Sequence, residues 1–360
     1  MIGYGNSVFL RTAWEVSGGV PPVNTVAPAI TGTAQEGQTV TCSTGTWTGT
    51  PTITFAYQWK RNGSNIGSAT NSTYTLVTAD VSQSITCQVT ATNGSGSASA
   101  TSNTITPTAA VDPDAQAFIT AAAITNPTQQ AAINTLVVDL KGYSIWSKMK
   151  ALYPFVGGTA SQHKFNLKDP RDLDAAFRLI FNGGWTHSAN GAQPNGTNGF
   201  ANTYFAPNTG TLNSNSIGYY IRTVNSSGAT DPVNMGGFDS SSSASSLLNS
   251  ASSVSGRLNG NLISGSITGG TGLFSISKTS STVTNVYKNG TSVGNGNSGG
   301  TLASSVIYLG TLNLSGVTYG SGYVNSQFAL VYISDGLSGV EMANFYTAVQ
   351  AFQTTLSRNV

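Results

Sequence analysis

The sequence predicts a mainly β chain, with two β-sandwich segments joined by a short helical connector, and three observations predict it. Ser, Thr, Asn and Gly number 46, 47, 31 and 42 of 360 residues. Such a composition disfavours helices, because Ser, Thr and Asn compete for backbone hydrogen bonds and Gly loses the most entropy on ordering. Short segments alternate apolar and polar residues, the period-two pattern of strands with one buried face. Turn signals such as Arg61-Asn62-Gly63-Ser64 and Asn93-Gly94-Ser95 separate those segments at short intervals.

Charge locates the boundaries. Charged side chains make up 8% of the chain, against about 25% in an ordinary soluble domain. Eleven of them lie between 139 and 178, whereas 183–256 hold only Arg222, Asp231 and Asp239. Four regions follow: an N-terminal arm (1–20), a Thr-rich β segment (21–108), a helical connector (109–158) and a Ser/Gly/Asn-rich β segment (159–360). A net charge of +2 without a basic block argues against nucleic-acid binding, which needs clustered Lys and Arg. No apolar run is long enough for a transmembrane helix. The first residues lack a basic start followed by an apolar core, so synthesis without secretory export is expected.

In the arm, Val8, Phe9, Leu10 and Trp14 are apolar. Such an arm either adds a strand to a neighbour's sheet edge as an anchor or folds back on its own domain. Pro21-Pro22 stiffens the exit. Val40 and Cys42 then share one strand face, as do Phe55, Tyr57 and Trp59, Tyr74 and Leu76, and Ile85, Cys87 and Val89. The order Cys42, Trp59, Cys87 resembles that of immunoglobulin domains, which place cysteines on strands B and F and a tryptophan on strand C. The resemblance, to bacterial and phage immunoglobulin-like domains, covers about a quarter of the chain. It departs at Ile85, where a tyrosine corner would stand. It implies that Cys42 and Cys87 face each other across the sheets, either able to oxidise after release or serving as a pair of small buried hydrophobes.

Asp112-Pro113 and Asn126-Pro127 open helices in the cap-then-proline arrangement. Ile133, Leu136, Val137 and Leu140 fall at helical spacing, and Ile145, Met149 and Leu152 continue the stripe to Pro154. A helical collar packed on the last domain is expected. Beyond it, LDAAFRLIFNGGWT, NSIGYYIRTV, GLFSISKTS, STVTNVYKNGTSVG, SSVIYLGTLN and SQFALVYIS read as strands. Ser338 to Glu341 is a capping box opening a C-terminal helix with Phe345, Val349 and Phe352 on one face. The Val-Tyr-Lys-Asn-Gly hairpin at 286–290 and the Leu-Ser-Gly-Val-Glu turn at 337–341 resemble the laminin-G or concanavalin-like jelly roll. The connector and the run from Lys168-Asp169-Pro170-Arg171 to Asn182-Gly183-Gly184-Trp185-Thr186-His187 resemble segments of tailed-phage and prophage structural proteins.

Catalytic groups are scarce. The three glutamates are Glu15, Glu36 and Glu341, and nothing in the spacing of Asp231, Asp239 and Asp335 forms the carboxylate pair a glycosidase needs. Two histidines, His163 and His187, do not make a zinc site. No cofactor is expected; calcium stays open at Asp231 and Asp239. The charges of 168–174 read as a solvated turn with local ion pairs. Aromatic and amide side chains are what the sequence has in quantity. Trp185, His187, Asn190, Asn195 and Tyr204 form a candidate glycan site, set against a reading in which Trp185 is core and the asparagines serve turns.

The resemblances imply a non-enzymatic virion structural protein of fibre, collar or decoration type, displayed for attachment to a host surface or its glycans and released by lysis. Its expected partners are other virion proteins and a host glycan or receptor. Trimers are common in phage fibres, so a homo-oligomer is expected, although no heptads or β-helical repeat enforces three-fold symmetry. A surface adhesin and a polysaccharide depolymerase are the alternatives.

Overall fold

The computed structural model describes residues 18–297 and 299–360. The anchor reading of the arm falls almost entirely outside them. The chain divides into two compact units, Met1–Ala110 and Val111–Val360.

The first unit is an immunoglobulin-like β-sandwich. Its four-stranded sheet runs Ser64–Asn65, Thr54–Arg61, Ile85–Asn93, Gly96–Thr101, and its three-stranded sheet Ile30–Thr31, Thr39–Cys42, Thr73–Thr75; Val20–Val26 pairs with Thr46–Thr50. Val40, Cys42, Trp59, Leu76, Ile85, Cys87 and Val89 form one core. Trp59 lies opposite Cys87 in the ladder. Its indole N–H donates to the Asn71 carbonyl at 2.9 Å, and its ring stacks on Tyr74 at 5.4 Å. Both cysteines are buried and unbonded. Both belong to this core; the neighbouring Cys87 thiol lowers the Cys42 pKa, and the Cys42 thiol together with burial raises that of Cys87. Where the tyrosine corner is missing, a buried carboxylate ties the strands. Asp80 accepts from Arg61 Nε at 2.8 Å, the Tyr74 hydroxyl at 2.9 Å and the Val77 backbone N–H at 2.8 Å. Phe55 shares a strand with Trp59 but is exposed.

The second unit is a jelly-roll sandwich with a helical layer on one side. One sheet runs Trp185–Ser188, Gly191–Pro194, Phe328–Ser334, Asn215–Ile221, Gly272–Lys278, Thr284–Lys288, Thr291–Gly296, with Met149–Tyr153 also paired to Phe328–Ser334. The other runs Ile180–Asn182, Phe200–Asn202, Tyr308–Leu309, Met235–Ser240, Ser243–Asn249, Ser253–Leu258, Ile263–Ser266, and Asn313–Leu314 joins Met235–Ser240 in parallel. Ile217, Tyr219, Ile221, Val331 and Ile333 face the core between the sheets, together with Met235, Leu247, Val254 and Leu258. The alternate residues Tyr220, Leu330 and Tyr332 face a second core, filled by Phe118, Ile133, Leu136, Val137, Leu140, Phe345, Val349 and Phe352 from the helices. Period-two alternation thus buries both faces of the first sheet. The longer helices are Pro113–Ala121, Pro127–Gly142 and Gly339–Thr355, and Ala160–His163 forms one short turn of helix. Asp112 accepts from Asp114 N–H at 2.9 Å and Asn126 from Gln129 N–H at 3.1 Å. In the capping box Glu341 N–H donates to Ser338 Oγ at 3.3 Å and Ser338 N–H to Glu341 Oε2 at 2.8 Å.

Two stretches differ from the sequence expectation. The helical stripe stops at Gly142, and Met149–Tyr153 is a strand. Met149 and Leu152 face the helices while Ala151 and Tyr153 face the inter-sheet core. A run apolar on both faces suits either period, and an available edge on Phe328–Ser334 decides it. In LDAAFRLIFNGGWT, Asp174–Ala176 is a 3₁₀ turn closed by Phe177 at φ +58°, and strand begins only at Ile180.

Candidate functional site

The sequence-predicted residues lie on neighbouring elements. Trp185–Ser188 and Gly191–Pro194 form a hairpin with His187 opposite Ala192 and exposed Asn190 in its turn. Trp185 is half-buried against the inter-sheet core. Its indole N–H donates inward to the carbonyls of Asn182 at 3.1 Å and Phe200 at 3.2 Å, and Phe181 meets it edge-on at 5.1 Å. Asn195 Oδ1 accepts from the backbone N–H groups of Thr197, Asn198 and Gly199 at 3.0, 3.1 and 3.0 Å. Its Nδ2 donates to Asn198 Oδ1 at 2.8 Å. Tyr204 sits at φ +56° in a turn closed by Asn202 Oδ1. The indole N–H and the Asn195 amide therefore serve the fold.

His187 leads inward. Its Nδ1 lies 3.0 Å from Nδ1 of His163, which is buried, and the His163 ring meets Phe155 edge-on at 5.5 Å. Burial, with His187 and Arg358 nearby, pushes the His163 pKa down to about 3; burial also lowers His187. Both rings are neutral at pH 7, one donating through Nδ1 and the other accepting. His163 Nε2 has no hydrogen-bond partner among the described residues.

Asp231 and Asp239 do not converge. Burial alone would raise the Asp239 pKa, yet hydrogen bonds from the hydroxyl and backbone N–H groups of Ser304 and Ser305 bring it below the usual carboxylate range. Asp231 accepts from the Tyr319 hydroxyl at 2.9 Å. Among the described residues no group of three or more His, Cys, Asp or Glu side chains gathers to hold a metal. Most charges of 164–178 pair locally, including Arg178 with Asp172 at 3.0 Å and with Asp174 at 2.8 Å, while Lys168 donates to the Trp146 carbonyl at 3.1 Å.

A cavity of about 470 Å³ lies on the other sheet. In Met235–Ser240, Ser243–Asn249 and Ser253–Leu258 the parity that buries Met235, Leu247 and Val254 turns Gly236, Phe238, Ser246, Leu248 and Arg257 outward. Ser246 stands opposite Gly236 on one side and Arg257 on the other. Strand order places Phe238, Leu312, Leu314 and Tyr319 along one wall and Leu262 with Arg257 along the other, above a Ser246–Leu248 floor. Gly236 is required there: a Cβ would come within 2.7 Å of Leu312 Cδ1 and 2.8 Å of Ser246 Cβ. The Tyr319–Asp231 hydrogen bond fixes one aromatic ring at the rim. Thr230, Ser250 and Ser253 add hydroxyls. Sequence reasoning missed this groove, because its residues meet only through sheet pairing.

Fold and groove together define a two-unit, mainly β protein: an immunoglobulin-like sandwich and a jelly roll with an open, half-apolar groove on one sheet. No protein-family model matches the sequence, and no curated protein does. Among solved structures the chain is similar to domain 4 of AbnA, a GH43 extracellular arabinanase from Geobacillus stearothermophilus, in complex with arabinotriose. That match has 14% identity, covers 55% of this chain and 98% of that one, and has a TM-score of 0.36. It is similar also to the botulinum neurotoxin serotype D binding domain, at 10% identity over 57% of this chain and 51% of that one, with a TM-score of 0.37. A third is the NanB sialidase of Streptococcus pneumoniae, at 12% identity over 46% and 27% respectively, with a TM-score of 0.31. The chain thus spans about half of the neurotoxin domain and about a quarter of the sialidase.

Proposed function

We propose that this chain is a non-enzymatic display and attachment protein of a tailed-phage particle, whose jelly roll binds surface glycan in the groove walled by Phe238 and Tyr319. The groove itself carries the reading. Sugars are amphipathic, with apolar C–H faces that pack on aromatic and aliphatic side chains and hydroxyls that exchange hydrogen bonds with Ser, Thr and Asn. The groove offers both kinds of contact on a rigid sheet. Among the described residues Asp231 is the one carboxylate lining it, which supports binding over hydrolysis, since glycosidases use two. The phage placement rests on the sequence resemblances of the connector and of the run 168–187 and on the pairing of an immunoglobulin-like unit with a jelly roll.

The test uses the full chain on a glycan array and on host cells, with Phe238→Ala and Tyr319→Ala beside it. Binding that falls about tenfold in each variant is expected, the worth of one aromatic face at roughly 1–1.5 kcal/mol. Glycan binding that survives both substitutions removes the groove. Release of reducing sugar from bound polysaccharide overturns the non-enzymatic reading. Failure of an antibody against this chain to label purified particles overturns the virion placement.

A further inference from the structure

Arg257 breaks the pattern of the groove. Few charges occupy this sheet, and no ion pair among the described residues includes Arg257. Its Nη1 donates to the Gly260 carbonyl at 3.2 Å, which holds the side chain; among the described residues the rest of the guanidinium fork is uncommitted. The residue is half-buried, opposite Ser246 at the groove floor. A guanidinium held there, with its other donors free, matches a carboxylate in two-point geometry. Arg257 also lines a second cavity of about 360 Å³, walled by Ser242, Gly260, Asn261 and Asn297. It therefore stands between an aromatic-walled groove and a hydroxyl- and amide-walled one.

We infer that the glycan taken by the groove is acidic: a saccharide bearing a carboxylate, as in a uronic or sialic acid, which pairs with Arg257 while its neighbouring rings occupy the two cavities. This inference rests on the groove being a glycan site. The aromatic wall recognises the sugar face and Arg257 recognises the charge. Asp231, the other charged residue lining the groove among the described residues, accepts from the Tyr319 hydroxyl, so an anionic ligand has one cation to approach and one hydrogen-bonded carboxylate to avoid.

The experiment compares acidic oligosaccharides with their carboxyl-reduced neutral forms, on an array and by titration calorimetry, using the full chain, Arg257→Gln, Arg257→Lys and Phe238→Ala. Thermal melting verifies that each variant is folded. The native chain is expected to prefer the acidic member of a pair by about ten- to a hundredfold, the worth of a charge-assisted hydrogen-bonded pair. Arg257→Gln should erase the preference and leave weak binding of the neutral form, and Arg257→Lys should keep part of it. Phe238→Ala should weaken both forms alike. If both forms bind equally, or if Arg257→Gln keeps the preference, the acidic assignment is overturned while the glycan groove stands. If neither form of any pair binds, the groove reading falls with it.

Discussion

Acid should destabilise the second unit through His163, and the size of the effect follows from the structure. In the fold this ring is buried between Phe155 and His187, and its pKa is held at about 3; in the unfolded chain it returns to about 6.5. The unfolded state therefore takes up the proton first. The stability contributed by the neutral ring is fully present above pH 6.5 and is lost as pH falls towards 3. At 1.36 kcal/mol per unit, the loss is about 3 kcal/mol by pH 4 and approaches 5 kcal/mol below pH 3. His187, also lowered by burial, adds in the same direction. Carboxylates titrate in this window too, so the informative quantity is a difference. His163→Gln removes the titration while retaining an amide able to face His187. Hydrogen exchange of core amides in Phe328–Ser334 isolates the second unit from the first. Between pH 7 and 4 the native chain should lose about 3 kcal/mol more protection free energy than the variant. Equal losses, or a His163 proton resonance titrating near pH 6.5 in the folded protein, would refute the reasoning.

Arg358 and Trp185 give two further outcomes. Arg358 is fully buried with no carboxylate partner among the described residues: it donates to the carbonyls of Phe155 at 2.8 Å, Pro154 at 3.2 Å and Ala329 at 3.1 Å, and to Gln353 Oε1 at 2.9 Å. Arg358→Ala should cost about 3–5 kcal/mol in urea denaturation of the second unit, because those acceptors stay buried with no donor; Arg358→Lys, which lacks the planar fork, should recover less than half. Trp185→Ala should cost about 2–4 kcal/mol by the same assay and leave glycan binding in proportion to the folded fraction. Selective loss of binding with stability intact would return Trp185 to the role of a sugar platform.

How much was legible depended on whether the relevant partners were local. The hairpin at 286–290 could be read because Asn289 and Gly290 must both adopt positive φ, and they do, at +49° and +76°. The capping box and both proline-opened helices follow from donors and acceptors within three residues of each other. Cys42, Trp59 and Cys87 were readable because strand parity alone sends them to one core. Met149–Tyr153 was not, since its two apolar faces meet two different cores and only the free edge of Phe328–Ser334 selects strand over helix. The groove was least legible. Gly236, Ser246 and Arg257 are about ten residues apart in a Ser/Gly-rich stretch that locally reads as turns and filler, and the order of the strands makes them neighbours. Their signal was parity: three successive strands each alternate buried apolar residues with an outward set mixing small residues, one aromatic and one cation.

The same low charge that hides the groove explains why one arginine can matter in it. Cations elsewhere in the unit are engaged: Arg178 by Asp172 and Asp174, Lys150 by Asp335, Arg358 by backbone carbonyls, Lys288 by the Gly269 carbonyl at 2.8 Å. Interactions between exposed charges decay within about 8 Å at physiological salt, and with +2 net the chain has no long-range field to gather polyanions. Recognition of an acidic sugar would then depend on contact rather than on steering. Its affinity should fall modestly with added salt, by the share of a single ion pair, while the contribution of Phe238 and Leu312 stays constant or rises as apolar burial strengthens. A steep salt dependence, characteristic of several neutralised charges, would point to a surface other than this groove.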